Sequence, residues 1–254
     1  MSELKALIFD VDGTLTDNEQ KGHRVAFNRA FEQAGLDWHW DPELYEELLE
    51  VFGGKERMRY FIEDFLPAEE APDDVDRLIR KVHAEKTRQY GKLLRAGALP
   101  LRTGVERLIR EAHEAGIRLA IASTTTLENA TTLVSKSLGD EALDWFDVFA
   151  CGDVVENKKP APDIYQYTLD QLALSATSCL VLEDSESGLV SARDAGLHSI
   201  ITVNDSTREQ NFEGALLVLE NLGEPDKPMQ VLAGNPGSST FVDLDLLRRL
   251  LREA

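Results

Sequence analysis

Five short apolar runs set the frame of this chain: Leu4 to Phe9, Arg118 to Ala122, Asp147 to Ala150, Cys179 to Leu182 and Ser199 to Val203. Each has the length of a strand rather than of a helix, and most are apolar enough to be covered on both faces. Helical patterns separate most of them. Two of these patterns share one plan, an amphipathic stretch that ends in Ala-Gly and leads straight into a strand: Val105 to Ala115 with Gly116, and Leu189 to Ala195 with Gly196. Glycine in that place is the usual left-handed stop of a helix. Strands that alternate with helices predict an α/β fold with a parallel sheet in the middle layer, because parallel neighbours need a crossover between them.

Residues 18–93 interrupt the alternation. Strand signals vanish there, Phe27, Ala30, Phe31 and Ala34 make one apolar stripe closed by Gly35, and Leu44 to Val51 and Val75 to Tyr90 supply further helices. Pro67, Pro72 and the acids between them mark a loop, and Gly91 to Pro100 the return. The expected organisation is a core domain of residues 1–17 and 94–254 with a helical domain, 18–93, inserted after the first strand. Leu244 to Leu251 reads as an amphipathic helix that covers the core, preceded by a flexible loop from Gly234 to Thr240. Trp38, Trp40 and Trp145 are expected to pack, and His39, His83, His113 and His198 to serve structure or solvent.

The formal charge of −19, with no concentrated run of Lys and Arg, speaks against nucleic acid as a partner. The apolar runs fall short of the roughly 20 residues of a membrane span, so no membrane partner is expected. The start, Met-Ser-Glu-Leu-Lys, leaves no room for a secretion signal, and two cysteines, Cys151 and Cys179, suit buried thiols in a reducing compartment. These features predict a cytoplasmic protein, and a monomer is expected. Any anion site on so acidic a chain has to be a local island of donors and cations.

The chemistry begins at Asp10-Val11-Asp12-Gly13-Thr14, where a strand ends in two acids at spacing two and a glycine that permits a sharp turn. Ser123 ends a second strand and Glu183-Asp184 a third, while Lys159 follows a fourth. In a parallel sheet those ends share one edge, where open α/β folds bind ligands. Taken singly, each residue has a plainer role: helix caps for the serine and the acids, a solvated loop cation for the lysine. Their joint arrival at one edge favours a site.

These four segments, Asp-Val-Asp-Gly-Thr, Ser123, Lys159-Pro160 and Glu183-Asp184, resemble the motifs of the haloacid dehalogenase-like phosphotransferases, which have a Rossmann-like three-layer core. Gly22-His23-Arg24 with Phe27-Asn28, Gly53-Gly54-Lys55-Glu56-Arg57 and Lys158 to Asp163 narrow the likeness to the CbbY-like subgroup. The likeness extends to about residue 223, and one extra residue stands between Thr16 and His23. Members of this subgroup are similar to β-phosphoglucomutase in fold and act on xylulose 1,5-bisphosphate as phosphatases.

The resemblance implies that Asp10 is a nucleophile that becomes phosphorylated and Asp12 the general acid and base. It implies Mg²⁺ held by Asp10, Asp184 and the main-chain carbonyl of Asp12, with Glu183 as a direct or indirect ligand. Ser123, the amide of Thr124, and Lys159 are implied to bind the phosphoryl oxygens, and Thr14 and His23 to lie among the substrate contacts. The inserted helices would form a cap in which Lys55 and Arg57 meet a second phosphate. A sugar-phosphate phosphatase, a phosphomutase on the same scaffold, and a non-catalytic binding protein are the three readings that follow. Occupation of every reactive position by a competent residue weighs against the third.

Overall fold

The five apolar runs are strands, all parallel. In the computed structural model, which describes residues 3–51, 53–67, 72 and 74–254, they are β1 (Ala6–Phe9), β2 (Arg118–Ser123), β3 (Phe146–Cys151), β4 (Cys179–Glu183) and β5 (His198–Thr202). Two more, β6 (Leu217–Leu219) and β7 (Val231–Gly234), complete a seven-stranded sheet of order β3-β2-β1-β4-β5-β6-β7. Only β7 runs antiparallel to its neighbour. Its residues lie beyond residue 223, where the sequence resemblance was expected to end, and Gly234, expected to open a loop, is its last residue. The loop expected between Pro67 and Pro72 consists of residues 68–71, outside the described residues.

The chain forms two compact units, one of Met1–Asp17 and Pro100–Ala254, the other of Asn18–Leu99. In the first, β1 is flanked by β2 and β4, with Phe9 level with both Ile121 and Leu182. The chain therefore leaves β1 toward one side of the sheet and later crosses to the other, which makes the carboxyl end of β1 a topological switch point. Alternate residues explain why these segments had to be strands with two covered faces. Ala6, Ile8, Ala120, Ala122 and Val181 pack with Ile164, Tyr165 and Ala192 on one face, while Leu7, Phe9, Leu119 and Ile121 on the other are also fully buried. Helices of this unit are α5 (Val105–Glu114), α6 (Leu127–Leu138), α7 (Asp163–Leu172), α8 (Glu186–Asp194) and α9 (Leu244–Glu253), counted after four helices of the other unit. The Ala-Gly stops work as expected. After α5, Gly116 takes φ of 70°, its amide bonding His113 O at 3.0 Å and that of Ile117 bonding Ala112 O at 2.9 Å. The C-terminal α9 buries five leucines.

The second unit holds α1 (Arg24–Ala34), α2 (Pro42–Leu48), α3 (Gly54–Asp64) and α4 (Val75–Arg95). A π turn over Glu19–His23 leads into α1, and in it the His23 amide reaches back five residues to Asn18 O at 2.7 Å. An aromatic cluster forms the core. The Phe31 ring lies 4.8 Å from that of Trp40, 5.5 Å from Trp38 and 6.0 Å from Phe27, centroid to centroid. Among the described residues, no helix of either unit is long and apolar enough to cross a membrane.

Phe31 is fully buried among these rings, so Phe31→Ala should destabilise the helical unit by roughly 3–5 kcal/mol. Urea unfolding followed by Trp38 and Trp40 fluorescence, in a Trp145→Phe background, measures it. A loss below about 1 kcal/mol would show that the cluster is not what holds this unit together.

Candidate active site

Asp10 follows the last residue of β1, and its amide extends the ladder by one bond, to Leu182 O at 3.0 Å. The chain then turns back on itself: Leu15 N bonds Val11 O at 3.0 Å and Gly13 N bonds Thr16 O at 2.9 Å. Gly13 sits at φ of 85°, which favours glycine, but packing is the stricter demand. A Cβ there would lie 2.1 Å from Asp184 Oδ2 and 2.8 Å from Asn204 Nδ2. The sequence explained this glycine by the turn alone.

Lys159 ties the motifs together. Its ammonium donates to Asp10 Oδ1 at 2.7 Å, to Glu183 Oε1 at 2.5 Å and to Ala122 O at 3.0 Å. It also lies 4.9 Å from the centre of the Tyr165 ring, whose hydroxyl donates to the same Glu183 Oε1 at 2.6 Å. Glu183 Oε2 accepts from the Asp184 amide at 3.1 Å and from Ser185 Oγ at 3.4 Å. Gly188 leaves the room that this carboxylate fills, since a Cβ would stand 2.1 Å from both of its oxygens. Ser123, buried at the end of β2, accepts from Thr125 N at 3.3 Å, and Thr124 beside it is exposed. Asp12 is half-buried. Thr14 is buried, and its hydroxyl has no partner among the described residues.

Asp10, Glu183 and Asp184 offer carboxylate oxygens that all lie within 4.8 Å of one another. Burial is the main force that pushes the Asp10 carboxyl up to about 7; Lys159 opposes the rise, and Glu183 and Asp12 add to it. Asp184 is raised well above the carboxylate range by burial, then by Glu183 and Asp10, with its bond from Asn204 Nδ2 at 2.7 Å pulling the other way. Burial also works against the charge of Lys159, yet Asp10 and Glu183 hold its pKa well above the ordinary lysine value. Three carboxylates against one ammonium leave an excess of negative charge that a cation would relieve. The donors fit a hard, oxygen-seeking dication. Both oxygens of Glu183 are already engaged, so it suits the support of Lys159 better than direct ligation. Asp10 and Asp184 each commit one oxygen to a protein hydrogen bond and keep the other available.

Tyr165 and Asn204 were not picked out from the sequence. Asn204 stands two residues beyond the end of β5, so the strand-end argument that selected Ser123 reaches it as well. Tyr165 lies in the first turn of α7 and gave no signal apart from an aromatic residue at a buried helical position.

In the helical unit, His23 Nδ1 is 2.9 Å from Lys86 Nζ, and the His23 ring stacks on Tyr90 with centroids 4.2 Å apart. Lys55 is exposed in the first turn of α3. Burial, followed by the charges of Lys86 and Lys55, pushes His83 down to about 4. Lys55 and Lys86 thus bring two positive charges close to His83 on an acidic chain, with His23 bonded to Lys86, and Lys86 was not foreseen. Arg57 is used differently. It is 8% exposed, donates from Nε to Leu48 O at 3.1 Å and from Nη1 to Tyr45 Oη at 2.7 Å, and lies 3.7 Å from the Glu19 carboxylate. Gly54 owes its size to packing, since a Cβ would stand 3.1 Å from both His83 and Phe27.

A sequence profile of haloacid dehalogenase-like hydrolases matches residues 4–196. A plasmid-borne protein CbbY of Cupriavidus necator is 48% identical over 246 residues, 96% of each chain. Protein CbbY of Rhodobacter capsulatus is 46% identical over 213 residues, 84% of this chain and 91% of the relative. Among solved structures, CbbY from Rhodobacter sphaeroides in complex with phosphate superposes with a TM-score of 0.76 at 42% identity, over 86% of this chain and 94% of that one. A mutant of the same protein in complex with xylulose 1,5-bisphosphate gives a TM-score of 0.74 at the same identity and coverage.

The crowded carboxylates tie cation binding to pH. Between the ordinary aspartate range and about 7, the folded metal-free site keeps a proton on Asp10 that the unfolded chain has released, so this contribution to stability is lost as pH rises through that window. A dication competes with that proton. The rise in Tm caused by saturating Mg²⁺ should therefore be larger at about pH 8 than at about pH 5.5. An equal rise at both, measured by calorimetry, would mean that these carboxylates are not where the ion binds.

Proposed function

The chain belongs to the haloacid dehalogenase-like hydrolases, and from that premise we propose that it is a Mg²⁺-dependent phosphatase that converts xylulose 1,5-bisphosphate into xylulose 5-phosphate and inorganic phosphate. The observation that carries the chemistry is the buried Lys159, held by Asp10 and Glu183 together beside Asp184. The substrate assignment draws on the likeness to the CbbY protein whose structure contains xylulose 1,5-bisphosphate.

In the first step an Asp10 oxygen attacks phosphorus and the bond from phosphorus to the sugar oxygen breaks, while Asp12 gives that oxygen a proton. In the second, water attacks the aspartyl-phosphate, Asp12 takes the water's proton, and the bond from Asp10 to phosphorus breaks. Lys159 favours the ionised, oriented form of Asp10, and Glu183 with Tyr165 fixes Lys159 in turn. Ser123 and the Thr124 amide are assigned to the phosphoryl oxygens, where negative charge gathers in the transition state. Asp10, Asp184 and the Asp12 carbonyl would hold Mg²⁺, which when bound would add positive charge against the same oxygens. Thr14, with its unpartnered hydroxyl, is kept among the substrate contacts.

The phosphate that does not react is assigned to the basic group of the helical unit, Lys55, Lys86 and His23. An anion there would meet the ammonium groups of Lys55 and Lys86, whose charges, after burial, hold His83 down to about 4. Arg57 stays with them as a candidate, but its bonds to Tyr45 and Leu48 mean that its replacement also disturbs the unit.

Asp10→Asn should lower phosphate release below about a hundredth of wild type while leaving the fold intact. Inorganic phosphate and isomeric sugar phosphate are assayed side by side, and accumulation of the isomer would replace the phosphatase by a mutase. Lys86→Met should cost about 2 kcal/mol or more in kcat/KM for the bisphosphate and much less for p-nitrophenyl phosphate. Equal losses on the two substrates would remove the second phosphate from this group.

A further inference from the structure

The Arg102 guanidinium makes five hydrogen bonds, and none of them goes to a carboxylate. Its Nη1 donates to Gly13 O, to Thr202 O at 2.8 Å and to Thr202 Oγ1 at 3.2 Å. Its Nη2 donates to Val203 O and to Glu220 O, the latter at 2.8 Å. The planar fork of a guanidinium can serve several convergent carbonyls at once, which the compact ammonium of lysine cannot do in the same plane. A charge set among neutral carbonyls needs some compensation, and the acid with the largest favourable effect on it is Asp184.

The acceptors are the telling feature. Gly13 belongs to the turn after Asp10 and Asp12, and it packs directly on Asp184 and Asn204. Thr202 and Val203 end β5 and lead into Asn204, whose amide holds Asp184 Oδ2. Asp184 therefore sits in a cradle with Gly13 as one wall and Asn204 as the other, and a single guanidinium grips the backbone of Gly13 and of Thr202 and Val203, the two residues that lead into Asn204. We infer that Arg102 is a positioning residue: it sets the spacing between the Gly13 turn and the end of β5, and so fixes the direction in which Asp184 presents its remaining oxygen to a divalent cation. The inference rests on the reading of this site as that of a cation-dependent hydrolase, and it adds a residue that touches neither substrate nor cation.

Arg107 supplies an internal control. It is a clamp of the same kind in the same unit, bonded to Glu224, Gly223 O and Val242 O, remote from the Asp184 cradle in its partners. The test compares Arg102→Lys and Arg107→Lys with wild type. Mn²⁺ binding to the substrate-free protein is read by electron paramagnetic resonance, and steady-state kinetics use p-nitrophenyl phosphate. Arg102→Lys should weaken Mn²⁺ binding by about tenfold or more and lower kcat by a similar factor with a much smaller change in KM. Arg107→Lys should lower Tm while keeping Mn²⁺ affinity within about twofold. Arg102→Gln, which retains a planar donor, replaces the lysine variant if that one does not fold. Mn²⁺ affinity of the folded Arg102 variant within about twofold of wild type would overturn the inference, as would an equal loss in Arg107→Lys. Failure of the underlying reading would show in the wild type instead, as neither Mn²⁺ binding nor phosphate release.

Discussion

The buried ammonium of Lys159 is the interaction on which the α/β unit's chemistry depends. Three acidic side chains can be brought together away from water only if something offsets their mutual repulsion, and for Asp10 and Glu183 that is the lysine they share, while Asn204 and the charge of Arg102 ease Asp184. The arrangement is asymmetric. Glu183 is saturated with donors from Lys159, Tyr165, Asp184 and Ser185, whereas Asp10 and Asp184 each hold one oxygen in reserve. The fully satisfied acid anchors the cation, and the partly satisfied acids are left to react and to ligate.

Such a cluster is possible because a parallel sheet collects strand ends. Asp10, Ser123 and Glu183 are far apart in sequence, yet β1, β2 and β4 are adjacent and run the same way. Close approach then depends on absent side chains. Gly13 and Gly188 occupy points where even a methyl group would collide with Asp184 and Glu183, respectively. The two glycines are as much a part of the acid cluster as the acids themselves.

Much of this could be read from the chain because local and global signals agree. The central strands, fully buried, are written as uninterrupted apolar runs, and the Ala-Gly stops before β2 and β5 mark their starts to within a residue or two. The reactive residues follow from the strand ends. Most of what escaped depended on distant partners. The run Ala215 to Leu219 that contains β6 is as apolar as the other strands and was passed over, whereas exposed β7 gains its status from its neighbour, and Arg102 is an ordinary loop arginine until Gly13, Thr202 and Glu220 are brought to it. Arg57 is a related case: its charge and glycine-rich setting suggested a grip on a ligand, and they gave no sign of the bonds it also makes to Tyr45 and Leu48.

The π turn over Glu19–His23 has a consequence for how this sequence tolerates change in length. One added residue in an ordinary α-helix rotates everything on one side of it by roughly 100° about the axis, which would carry Phe27 and Phe31 out of the aromatic core or disturb the chain before it. A wider turn of the π kind can take up such a residue as a local swelling and leave the phase of the helix after it unchanged. Here that turn lies directly before α1 and ends at His23, so a change in length at this point would shift the backbone that carries the His23 ring before it reached the aromatic core behind.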